Sequence, residues 1–86
     1  MNSNSAKLLP VKQVISQIKE AVSEFCVSDS RNIKLRDSFS NDLGMDSLDM
    51  VELSVMIEVK LKIYLTEDLL SIKSVKQLTK ECINKL

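Results

Sequence analysis

One glycine, Gly44, and one proline, Pro10, are the only residues of their kinds in this chain of 86. Tight hairpins draw on glycine at positive φ and on proline-started turns, so the chain has too few turn formers for a fold of many short strands. Helices are expected instead, and the hydrophobic spacing agrees. Val11, Val14, Ile15, Ile18, Ala21, Val22 and Phe25 recur at threes and fours behind Pro10, whose fixed φ suits a first helical position. They predict a helix over about 10–26. Residues 27–46 are rich in Ser, Asp and Asn around a short apolar element of Ile33, Leu35 and Phe39. They read as a long structured loop, and long loops in small domains are usually functional.

Leu48, Val51, Val55 and Val59 form a second stripe, giving a helix over about 47–61 that Asp46 or Ser47 caps. Met50, Leu53 and Ile57 fall on its other faces. The helix is therefore either largely wrapped or presents an apolar edge. Val51, Val55, Val59, Ile63, Leu65 and Ile72 are expected to line the core. Thr66 suits the start of a short turn holding Glu67, Asp68, Leu69 and Leu70. Ser74 with Gln77 fits a capping box, and Val75, Leu78, Cys82 and Leu86 make a last core stripe. The expectation is an all-α fold: a small bundle of three main helices plus a short fourth, with a long loop between helices one and two. A chain this short buries only about 60–65% of its unfolded surface, so one domain over 1–86 is expected, with 1–9 a flexible N-terminus.

Several chemistries are unfavoured by what the chain lacks. It has no histidine, which removes the usual general base and the commonest metal ligand. No metal site and no catalytic residue is expected. Phe25, Phe39 and Tyr64 are too few aromatics for base-stacking platforms. Cys26 and Cys82 stand alone beside apolar neighbours and read as reduced structural thiols. The first ten residues show neither a secretory nor an import pattern, and no apolar run approaches a spanning length. A cytoplasmic protein without membrane insertion is expected.

The net charge is zero, but its distribution is uneven. Asp37, Asp42, Asp46, Asp49, Glu52 and Glu58 fall between 37 and 59 with no basic residue among them, while lysine and arginine exceed acids on both sides. Such a block repels nucleic-acid phosphates and suits a basic protein surface, or else serves as a solvated face.

The segment Asp42-Leu43-Gly44-Met45-Asp46-Ser47-Leu48-Asp49-Met50-Val51-Glu52-Leu53 joins the loop to the second helix. It resembles the phosphopantetheine attachment site of acyl carrier proteins, in which Asp-Ser-Leu follows Leu-Gly and opens an acidic helix. Asp37-Ser38-Phe39 before it and Val51-Glu52-Leu53 within it are similar to further elements of that family. The likeness covers about residues 10–86, with fitting helix order.

That resemblance implies that a separate phosphopantetheinyl transferase moves 4'-phosphopantetheine from coenzyme A onto Ser47, beside Asp46 and Leu48. The thiol of the arm then carries acyl groups as thioesters. Ser47 would offer a primary hydroxyl where a phosphate meets the positive end of a helix. Asp46 would orient that hydroxyl or a metal ion in the transferase complex, or simply cap the helix. Repulsion of about 0.7 kcal/mol from nearby carboxylates roughly offsets the helix dipole, leaving the arm unpinned. Asp49, Glu52 and Glu58 would form a face read by basic patches on acyl-loading and acyl-processing enzymes, with Met50 and Met56 as adaptable apolar contacts or as plain core. The protein is expected to be a monomer.

The likeness fades at Val59-Lys60-Leu61-Lys62-Ile63-Tyr64-Leu65, where lysines replace the carboxylates typical of fatty-acid carriers. A specialised lipid, polyketide or peptide-linked pathway is thereby favoured over housekeeping fatty-acid synthesis. Rival readings are a peptidyl or D-alanyl carrier, and a structural subunit without the arm.

Overall fold

The computed structural model describes residues 10–27, 29–65, 69 and 71–86. Pro10 flanks the first helix rather than beginning it: α1 spans Val11–Ser23, and the Pro10 carbonyl accepts from the amides of Gln13 and Val14. The helix also ends three residues earlier than its stripe suggests. The amides of Glu24 and Phe25 reach back only three residues, to Ala21 and Val22, so the last turn tightens and closes. Val14, Ile18, Ala21 and Val22 are buried, while Val11 is exposed and Phe25 and Cys26 pack at the edge of the core.

The long loop is built from local caps. Asp29 accepts from the Arg31 amide, which starts a single 3-10 turn at Ser30–Asn32. The Arg31 guanidinium pairs with the same carboxylate at 3.2 Å, and that bond, with the amide, holds the Asp29 carboxyl below its ordinary range. Ile33 then drops into the core. Further on, Asp37 accepts from the Lys34 amide and Asp42 from the Ser38 amide. The loop is also tied to the start of the last helix, since Phe39 N–H donates to the Lys73 carbonyl, Val75 N–H to Asp37 and Lys76 N–H to Leu35.

The second helix, α2, spans Ser47–Leu61, the range its pattern predicts. Its core face is not the expected one. Leu53, Ser54, Ile57 and Leu61 are buried, whereas Leu48, Val51, Val55 and Val59 are 66%, 48%, 53% and 72% exposed. The expectation that Val51, Val55 and Val59 line the core is thus overturned, while Ile63, Leu65 and Ile72 are buried as expected. The reason lies in Ser54, whose hydroxyl donates to the Val51 carbonyl at 2.7 Å and so enters the core with its polar atom satisfied. Lys62 closes α2 in the left-handed region at φ 59°, its amide on the Glu58 carbonyl.

The short turn expected from Thr66 lies largely outside the described residues; of it, the Leu69 carbonyl accepts from Ile72 N–H. The last helix, α3, spans Val75–Lys85. Ser74 Oγ accepts from Gln77 N–H as the capping pattern suggests, but the Gln77 side chain accepts from Lys73 N–H, one residue before the cap. Val75, Leu78 and Cys82 are buried, and the Thr79 hydroxyl, bonded to the Val75 carbonyl, is buried with them; Leu86 is exposed instead. Helix α1 packs against both other helices and the 3-10 turn.

Burial, with a smaller contribution from Glu81, pushes the Cys82 thiol up to about 12, against some opposition from Lys85. An unfolded thiol ionises near pH 9, so above that pH the folded state binds the extra proton and stability must fall as pH rises. Chemical denaturation of the wild type between pH 9 and 11 should therefore show an added loss of up to about 1.4 kcal/mol per pH unit, which Cys82→Ala removes. Equal slopes for the two proteins would contradict this.

Candidate functional site

The turn into α2 is set by Gly44, whose φ of 67° lies in the left-handed region that only glycine occupies without cost. Met45 follows it inward, buried, with its amide on the Phe39 carbonyl at 2.8 Å. With the chain anchored there, Asp46 and Ser47 emerge exposed at the start of the helix.

Asp46 and Asp49 form a reciprocal capping box. The Asp46 carboxylate accepts from Asp49 N–H at 2.9 Å, and the Asp49 carboxylate from Asp46 N–H at 3.1 Å. Of the roles open to Asp46, helix capping is the one seen. The remaining first-turn amides, of Ser47 and Leu48, have no acceptor among the described residues and keep the helix N-terminus receptive to an anion.

Ser47 stands at the lip of a cavity of about 220 Å³, with Phe39, Met45, Met50, Val51 and Ile72 among its lining. Those walls come from the loop, from α2 and from the approach to α3. The sequence reading located Ser47 but not the cavity, whose far wall lies some 25 residues downstream. Lys73, on that wall, had drawn no notice.

The residues expected to face partners are distributed as follows. Glu52 is exposed and sits one turn from both Leu48 and Val55, so it shares the apolar stripe. Asp49 is half-buried and engaged in the cap. Glu58 is half-buried and accepts from Leu65 N–H at 2.6 Å, which fixes the chain leaving α2. Met50 and Met56 are half-buried against the core, Met50 facing the cavity and Met56 a second cavity between α1 and α2. The exposed stripe Leu48, Val51, Val55 and Val59 is legible as a stripe, but three of its members, Val51, Val55 and Val59, were expected in the core and face outward.

Comparison with known proteins bears on the whole of this arrangement. The family described as phosphopantetheine attachment site matches residues 16–82, which takes in most of α1, the loop, the whole of α2 and most of α3. The chain belongs to the acyl carrier protein family. Among similar proteins, an acyl carrier protein of Exiguobacterium sibiricum is 35% identical over 57 residues, covering 66% of this chain and 72% of that one. The acyl carrier protein of Phytoplasma mali is 35% identical over 66 residues, 76% and 79% of the two chains. That of Trieres chinensis is 41% identical over 63 residues, 72% and 79%.

An acyl carrier protein works through a 4'-phosphopantetheine prosthetic group. The site fits such a group on two counts. An exposed primary hydroxyl stands at a helix N-terminus with amides to spare, and an apolar cavity opens beside it. Among the described residues no helix is long and apolar enough to cross a membrane.

Proposed function

We propose that this acyl carrier protein carries acyl intermediates as thioesters on a 4'-phosphopantetheine arm joined to Ser47, and delivers them to enzymes of fatty-acid or related lipid or polyketide biosynthesis. The observation that carries this reading is the placement of Ser47. Its side chain is exposed at the first position of α2, between a capping carboxylate and the cavity. A transferase reaches that hydroxyl without any part of the fold opening. In the loading step the Ser47 oxygen attacks the β-phosphorus of coenzyme A, the serine proton leaves to a base of the transferase, and the 3',5'-adenosine bisphosphate half departs. A phosphodiester joins Ser47 to the pantetheine, whose terminal thiol accepts the acyl group.

The carrier itself transforms nothing. Its cavity is smaller than the about 300–1,000 Å³ of ordinary ligand pockets, which suits brief shelter of a short chain or of the first part of a longer one. Partner enzymes dock on the exposed side of α2, with Leu48, Val51, Val55 and Val59 as apolar contacts and Glu52 as the charge met by a basic patch. Lys60 gives the far end of α2 the opposite sign, which favours a dedicated partner set. The protein acts as a monomer in the cytoplasm.

Incubation with coenzyme A and a broad-specificity phosphopantetheinyl transferase tests the attachment. The wild type should gain the mass of one phosphopantetheine group in an intact-mass spectrum, and Ser47→Ala should gain none. A gain by Ser47→Ala would move the tether elsewhere.

A further inference from the structure

The helix N-terminus that receives the arm is already crowded with negative charge. Both carboxylates of the capping box, Asp46 and Asp49, flank Ser47, and a phosphodiester would add a third anion within one helical turn. Like charges this close repel by about as much as the helix dipole attracts, so the helix start by itself gives the arm no net hold. Among the described residues lining the cavity at Ser47 there is one cation, Lys73. It lies 26 positions further along the chain and lines the same cavity.

The backbone of Lys73 is held on both sides. Its amide donates to Gln77 Oε1 at 2.6 Å and its carbonyl accepts from Phe39 N–H at 3.0 Å. The first bond ties it to α3 and the second to the loop that leads into Ser47. Its ammonium thus swings on a four-carbon stem from a fixed base, exposed and without an ion pair among the described residues. Neither fold nor cap employs that charge.

We infer that Lys73 is a positioning residue for the prosthetic arm, pairing with its phosphodiester and directing the pantetheine along the mouth of the cavity. The inference rests on Ser47 as the tether and adds what holds the arm there. The pair is formed between exposed groups, so it is weak and screened by salt, which leaves the arm free to exchange onto a partner enzyme.

The test compares the wild type with Lys73→Arg, Lys73→Gln and Lys73→Glu, each before and after loading from coenzyme A by a broad-specificity transferase, with intact mass to verify loading and thermal melting as the readout. Before loading, all four should melt within about 2 °C of one another, since the side chain is exposed and has no ion pair among the described residues. After loading, the change in Tm should be the same for wild type and Lys73→Arg. For Lys73→Gln it should be lower by about 3 °C, and lower again for Lys73→Glu. At about 1 M salt, where the Debye length is about 3 Å, the differences should vanish. The 31P resonance of the phosphodiester should move in Lys73→Gln and stay near its wild-type position in Lys73→Arg. Loading that shifts Tm equally in all four proteins overturns the role of Lys73 and leaves the tether standing. A wild type that takes up no phosphopantetheine overturns both.

Discussion

Leu53→Ala should cost about 3 kcal/mol of folding stability, while Val55→Ala, two residues away on the same helix, should change it by no more than about 0.5 kcal/mol. Leu53 is 1% exposed and belongs to the central cluster, so truncation removes buried apolar surface and leaves a cavity among rigid neighbours. Val55 is about half exposed, and what little it buries is offset by the better helix propensity of alanine. In a domain of this size the first change corresponds to a fall in Tm of about 12–24 °C, the second to about 2–4 °C at most. Urea or thermal unfolding followed by circular dichroism measures both. Equal costs at the two positions would mean that α2 faces the core with its valine stripe after all.

The second large effect concerns recognition. Val55→Asp should leave Tm almost unchanged, yet raise the KM of a phosphopantetheinyl transferase for this carrier by about 10- to 100-fold with little change in kcat. Val55 sits midway along the exposed stripe, with Val51 and Val59 one turn to either side. A docked enzyme strips water from that stripe, and an aspartate there would be desolvated without a partner. Ser47 is more than two turns away, so the chemistry of attack is untouched and only docking suffers. Steady-state kinetics at several carrier concentrations separates the two parameters. An unchanged KM would remove the valine stripe from the docking surface.

Both predictions turn on a feature that periodicity alone was unable to settle. The start of α2 was legible because Asp46 and Ser47 mark it, whereas Lys62, which leaves the helical region right after Leu61, carries no such mark in the sequence. The inward face of α2 was not legible, because apolar residues surround the helix and two stripes of equal quality compete: Leu48, Val51, Val55 and Val59 against Leu53, Ile57 and Leu61. Ser54 lies on the true core face beside Leu53. A serine counts against a core face until its hydroxyl is known to bond the preceding turn, which becomes visible only in three dimensions. A usable signal was present in Glu52, whose charge sits one turn from both Leu48 and Val55 and argues for solvent on that side.

The same division holds at the site. Ser47, its capping aspartate and the turning glycine are contiguous in sequence and depend on local geometry, so their pattern survives in one dimension. The cavity draws Phe39, Met50 and Ile72 from three separate stretches, and Lys73 reaches it only because the loop bonds to the start of α3. Apolar residues read as core whether they fill space or line it, and an isolated lysine near a helix start carries no mark of what it faces.

A single oxygen, Ser47 Oγ, decides whether this chain is a carrier. The most direct measurement is top-down mass spectrometry of the chain recovered from cells that contain an active phosphopantetheinyl transferase, with fragmentation to locate any added group. The expected spectrum shows one phosphopantetheine per chain, retained by fragments that contain Ser47 and absent from those that end before it. A chain recovered wholly unmodified, or carrying its group on any other residue, would contradict the tether and leave a helical subunit that binds its partners without bearing cargo.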